Sequence, residues 1–184
     1  MALIQRGLGP VALVLMGLFL LPMAACDDGG TGQATARYED DGFSIEIPAG
    51  WRDEQRPGEG ADRGVLFLSP EPVVANPRGL PNEIFVFLPE RPYESVEKYV
   101  DDQYDFDDIV VTERRKVEVP GATEALRIET EGTTTSPEVT IRQVFLIARR
   151  SDGSVVDVVC RGAVEDFQRE VCKSSLSSLR ILSN

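Results

Sequence analysis

Val139-Thr140-Ile141-Arg142-Gln143-Val144-Phe145-Leu146-Ile147-Ala148, then Asp152-Gly153, then Val155-Val156-Asp157-Val158-Val159-Cys160 is the stretch that decides the fold. Both runs are rich in Val, Ile and Phe, the composition of strands that pack on a core. Asp-Gly between such runs is a hairpin turn. Strands joined this tightly are antiparallel.

Toward the N-terminus the same signals recur. Residues 125–130 and 110–119 read as strands, the latter closed by the turn pair Pro120-Gly121, with a polar loop over 131–137. Residues 83–88 are a well-buried strand, 65–68 a short one, and 43–47 alternates apolar and polar residues. Residues 53–62 are polar and glycine-bearing, and 69–81 carry Pro70, Pro72, Pro77 and Pro81, so both segments read as loops. After Pro92, the spacing of Val96, Tyr99, Val100 and Tyr104 predicts a first helix. Val164, Phe167, Val171 and Leu179 predict a second over 164–182. The order β-β-β-α, four strands, α predicts the α+β class: a mainly antiparallel sheet of about six or seven strands with two main helices packed on it. There is no internal repeat.

The first 25 residues read differently. Arg6 precedes an uncharged run of about 11 residues, and small residues lead to Cys26. A basic head, an apolar stretch and a small-residue cleavage point make a secretory signal peptide. The run is too short for a bilayer-spanning helix, which needs roughly 20 residues. Met23-Ala24-Ala25-Cys26 resembles the lipobox of bacterial lipoproteins, with Met23 where that pattern usually has Leu. The resemblance implies a diacylglyceryl group, carrying palmitate-type chains, on Cys26. Two acyl chains give stable membrane attachment. Residues 26–37 are then a lipidated cysteine and flexible tether, and 38–184 one domain. The expected location is the extracytoplasmic face of the cell membrane, on the periplasmic side in a host with two membranes.

Composition narrows the function. The net charge is −12, and −13 once Arg6 leaves with the signal. Such acidity argues against nucleic acid, whose phosphates require Lys and Arg, and against flat adsorption on anionic lipid. There is no histidine. Ser-His-Asp and Cys-His catalysis and His-ligated zinc are therefore excluded. With Cys26 committed to lipid, Cys160 and Cys172 remain, and an even remainder in an exported chain predicts one disulfide. Cys160 ends the last strand and Cys172 lies within the closing helix, so the bridge would staple helix to sheet.

Tyr38-Glu39-Asp40-Asp41-Gly42-Phe43-Ser44-Ile45-Glu46-Ile47-Pro48-Ala49-Gly50-Trp51 resembles the opening of a PsbP-like domain. In that group a tyrosine, a glycine-aromatic pair, a first strand and Pro-x-Gly-Trp recur. The likeness extends over about residues 38–182 and is similar to LpqN-type and DcrB-type bacterial lipoproteins. It implies an α-β-α sandwich used for binding or accessory roles, with no shared active site and no cofactor. Fold alone does not choose among those roles.

Other features carry bland expectations. Asp101, Asp102, Asp105, Asp107 and Asp108 could gather around a cation, but with no glycine as in a calcium loop they read as a solvated acidic segment. Trp51 reads as core packing. Arg114-Arg115-Lys116 and Arg149-Arg150 split between faces by alternation and read as solvated. Tyr93, Tyr99 and Tyr104 read as core and boundary packing, and Glu46, Glu83 and Glu118 as solvent-facing. The leading functional expectation is a non-enzymatic accessory module that meets an envelope protein through an exposed apolar patch. The alternative is a carrier or sensor of a small apolar ligand such as a lipid, which requires an apolar cavity of about 300 Å³ or more.

Overall fold

The hairpin centred on Asp152-Gly153 forms the spine of the domain. In chain order the elements are β1 (Thr35–Asp40), β2 (Phe43–Pro48), β3 (Arg52–Pro57), β4 (Arg63–Leu68), β5 (Glu83–Leu88), α1 (Val96–Gln103), β6 (Val110–Lys116), β7 (Glu124–Thr135), β8 (Glu138–Arg149), β9 (Val155–Ala163), a 3-10 turn (Val164–Asp166), α2 (Arg169–Ser178) and β10 (Arg180–Ile181). The structure, a computed structural model, describes residues 34–40, 42–57, 63–70, 80–106, 109–135 and 138–182. The signal peptide, Cys26 and most of the tether lie outside the described residues. No helix among the described residues is long and apolar enough to cross a membrane.

Among the described residues the strands form two sheets. The main sheet has the order β3-β4-β5-β9-β8-β7-β6, and the smaller one the order β1-β2-β10. Neighbouring strands are antiparallel throughout. This is the α+β class read from the sequence. Alternation along the central strands builds both faces of the main sheet. Val156, Val158 and Cys160 of β9 share one core with Val144, Leu146, the β2 residues Phe43 and Ile45, and Leu176 of α2. Val155 and Val159 join a second core with Phe145, Ile147, and Val96, Tyr99 and Val100 of α1. The first face is covered by α2 and the small sheet, the second by α1.

Several boundaries differ from the sequence reading, each for a physical reason. Residues 35–37, read as tether, are the start of β1, where Arg37 pairs with Glu46 in register. That stretch is polar because it is largely exposed, so it showed no periodicity. Residues 53–57, read as part of a loop, belong to β3, an edge strand paired with β4 among the described residues. Its first residues, 52–54, are exposed, and an exposed edge strand needs no apolar residues. The 124–135 and 138–149 strands run on through part of the segment read as a loop. The strand at 43–48 leaves the main sheet for the smaller one. The closing helix is α2 alone, and its buried face is Cys172, Ser175, Leu176 and, just beyond, Leu179. That is one residue out of phase with Val164, Phe167 and Val171, which lie half-buried before and beside it.

Candidate functional site: an aromatic pocket over a buried carboxylate

Strand β9 places Asp157 between Val155 and Val159, on the face that α1 covers. It is fully buried. Charge there must be met by hydrogen-bond donors, since an unpaired buried carboxylate is costly. α1 supplies them. Ser95 caps its N-terminus, its Oγ accepting from the Lys98 backbone N–H at 3.1 Å. The helix then turns Val96, Tyr99 and Val100 inward. The Tyr99 hydroxyl donates to Asp157 Oδ2 at 2.8 Å. Tyr104, at the helix end, donates to the same oxygen. The other oxygen, Oδ1, has no hydrogen-bond partner among the described residues.

These surroundings set the charge states. Burial pushes the Asp157 carboxyl up to about 6, against the two phenol hydrogen bonds, which act in the opposite direction. Burial first, and then the Asp157 charge, push both phenols far above their ordinary value. Tyr99 and Tyr104 therefore remain protonated donors.

The Tyr104 ring forms a wall of an aromatic pocket. It meets Phe145 edge-on at 4.9 Å and stacks on Phe106 at 5.6 Å between centroids. Phe106 meets Phe145 edge-on at 6.0 Å. Phe85 lies between Leu66 and Val159 in one cross-strand row, and the three line the pocket from the sheet. The volume is about 350 Å³, half-open, with Asp105, Gln143 and Arg161 at the mouth. Arg161 is held by an ion pair to Glu83. Gly64 of β4 lets the Phe85 ring lie against the strand; a Cβ there would stand 2.7 Å from the ring. Any larger residue at position 64 displaces a pocket wall.

The singled-out residues fall as follows. Cys160 and Cys172 are both buried in the core beneath α2 and stand as thiols. Burial, and then a hydrogen bond with Cys172, push the Cys160 thiol well up, so the two sulfurs face each other. Trp51 packs half-buried against the same core. Asp102 is engaged by Lys98 at 2.6 Å and Arg91 at 3.2 Å, while Asp105 reaches the pocket mouth. No group of three metal-ligating side chains occurs among the described residues, and Asp107 and Asp108 lie outside them. Arg114 turns to Glu97 of α1, whereas Arg115 turns to the other face and pairs with Glu113. Arg149 is not solvated as read. Its Nε donates to the Tyr93 carbonyl at 2.6 Å, fixing the entry to α1. Tyr99 and Tyr104 are polar anchors as well as packing.

Asp157 was missed. Its signal was an acid inside Val155-Val156-Asp157-Val158-Val159, a run with no polar side to turn it toward. A carboxylate in a strand buried on both faces must have a partner.

No family model matches the chain, and no curated protein matches it. Solved structures do. A Pseudomonas aeruginosa protein of unknown function, PA94, superposes with a TM-score of 0.52 at 15% identity, over 82% of this chain and 99% of that one. LpqN of Mycobacterium tuberculosis, described as involved in cell envelope biogenesis, aligns with a TM-score of 0.48 at 10% identity, over 82% of this chain and 90% of that one. The likeness to PA94 is one of fold.

Proposed function

We propose that the chain is a lipid-anchored accessory protein on the extracytoplasmic face of the cell membrane, acting by binding rather than catalysis. Its binding element is the aromatic pocket beside α1, and its ligand is a small apolar molecule with a ring or lipid character. The observation that carries this reading is the 350 Å³ cavity walled by Tyr104, Phe106, Phe145 and Phe85. That volume lies within the roughly 300–1,000 Å³ typical of ligand pockets, and aromatic walls with a few polar groups at the mouth are their usual lining.

Two further observations favour a pocket over a flat protein-docking patch and over chemistry. Val110 and Val111 of edge strand β6 are the exposed large apolar side chains among the described residues. Two valines are too small a patch for a docking surface of useful area. The chain has no histidine, and Asp157 is held behind Tyr104 by both phenols. Address and anchor rest on the signal segment and Cys26. We further propose that Cys160 and Cys172 are oxidised to a disulfide after export, since they already face each other in the core.

The test is native mass spectrometry of the lipidated protein purified gently from its host, with solvent extraction of the same sample. A stoichiometric small molecule is expected. Ile109 also lines the pocket, and Ile109→Trp, which fills the space, should empty it of ligand with unchanged circular dichroism. A clean unliganded mass for the wild type would sink the pocket reading and leave a protein adaptor.

A further inference from the structure

Although the chain is strongly acidic, three cations converge on one cleft on the α2 face. Arg115 of β6 and Arg127 of β7 are directly opposed in register. Lys173 projects from α2, whereas Lys116 turns to the α1 face, beside Glu124. Glu118 is the one acid in the lining. Like charges directly opposite each other across strands are destabilising unless an anion lies between them. Glu113 serves both guanidinium groups, at 2.7 Å from Arg115 Nε and 3.4 Å from Arg127 Nε. Glu129 is shared more thinly still, among Arg127, Arg142 and Arg169. The Arg127 Nε is buried and makes no hydrogen bond. Lys173 is held loosely, 3.8 Å from Glu170, and is largely exposed. It can swing over the cleft at little cost, since exposed pairs contribute about 0–1 kcal/mol.

Beneath these charges the lining is apolar: Val119, Leu146, Leu176 and Leu179. The cleft encloses about 650 Å³, enough for a ligand of lipid-fragment size. Cations at the rim over an aliphatic floor match one chemistry, a negatively charged head on a hydrocarbon tail.

We propose that this cleft binds an anionic amphiphile. Arg115 and Lys173 hold a phosphate or carboxylate head, and the tail lies along Leu146, Leu176 and Leu179. This site is on the opposite sheet face from the aromatic pocket and stands without it. Such an amphiphile can come from a bilayer or as a dispersed molecule. The net charge of −12 opposes approach to an anionic bilayer and favours single molecules.

The probes are dihexanoyl phosphatidic acid, inorganic phosphate and dihexanoyl phosphatidylcholine, titrated calorimetrically into the mature domain with its tether. Phosphatidic acid is expected to bind at least tenfold more tightly than either of the others, and less tightly as salt rises. Lys173→Glu, at an exposed position, should weaken it at least tenfold with an unchanged melting temperature. Flotation on phosphatidylglycerol vesicles assigns the source. Binding to the dispersed lipid alone marks single molecules, and binding to vesicles as well marks the bilayer. No binding to either, equal binding by wild type and variant, or phosphate binding as tightly as phosphatidic acid would overturn the proposal.

Discussion

On the α1 side of the main sheet one acid is buried in a core rich in aromatic rings; on the α2 side basic groups gather at the edge of an aliphatic core. Both sides are built from alternate residues of the same strands. In β9, Asp157 faces α1, while Val158 and Cys160 face α2. In β7 and β8, Ile128 and Phe145 face α1, while Arg127 and Leu146 face α2. The difference teaches that period-two alternation sorts chemistry as well as hydrophobicity. A strand can line an aromatic pocket on one side and a charged cleft on the other without conflict between them.

Two perturbations of similar size should separate the faces, and they stand first because their expected effects are the largest. On the α1 side, the Asp157 carboxyl is raised from 3.8 to about 6 by burial. The folded protein therefore holds this proton more tightly than the unfolded chain. Below about pH 4 both states are protonated and Asp157 carries no penalty. As pH rises toward 6 the unfolded state ionises first and stability falls, by up to about 3 kcal/mol. Asp157→Asn removes this contribution. Urea unfolding at pH 4 and pH 7 should show the variant gaining on the wild type by up to that amount at the higher pH. Parallel pH profiles would mean the acid is solvated in the folded protein.

On the α2 side, the corresponding effect is redox rather than pH. Closing the short loop from Cys160 to Cys172 stabilises by about 3 kcal/mol in the chain-entropy model. The oxidised protein should lose that much in reductant, or when both cysteines are replaced by alanine. Its mass should also be two hydrogens lower than that of the reduced form. Asp157 and Cys160 lie three residues apart on one strand but face opposite ways, so the two perturbations should add. Strong coupling between them would show that the sheet transmits strain across its thickness.

These faces were unequally legible. The hairpin strands and both helices were visible because their residues repeat at the period of the element. Polar β1 and β3 were not, because an exposed strand has no apolar side to show. The α2 phase was misread because Cys172, Ser175 and Leu176 form its buried face, and a small polar residue in that face breaks the apolar pattern. The aromatic pocket was foreshadowed only as packing: Phe85 and Phe145 are far apart in sequence and brought near by strand register, and Phe106 is laid over them by the segment that leaves α1. The basic cleft was not visible. Arg114-Arg115-Lys116 was read as a patch split between faces, which is correct, but alternation along one strand gives no hint that Arg127 lies opposite Arg115.

The smallest expected effect concerns how the two helices are held. α1 has a side-chain cap, Ser95, whereas α2 begins at Gln168 with no side-chain cap hydrogen bond. α2 instead rests on its packing, on the Gln168 N–H donating to Asn82 Oδ1 at 3.1 Å, and on the contact between Cys160 and Cys172. α1 is short, so its first turn sets the position of Tyr99 one turn further on. Ser95→Ala should cost about 1 kcal/mol, the usual cost of losing such a cap. Because Tyr99 rides on α1, the loss should also appear as faster amide hydrogen exchange in α1 and around Asp157, with α2 unchanged. Equal exchange increases in both helices would mean that the domain opens as a single unit, and the contrast between a capped helix and a core-held one would fail.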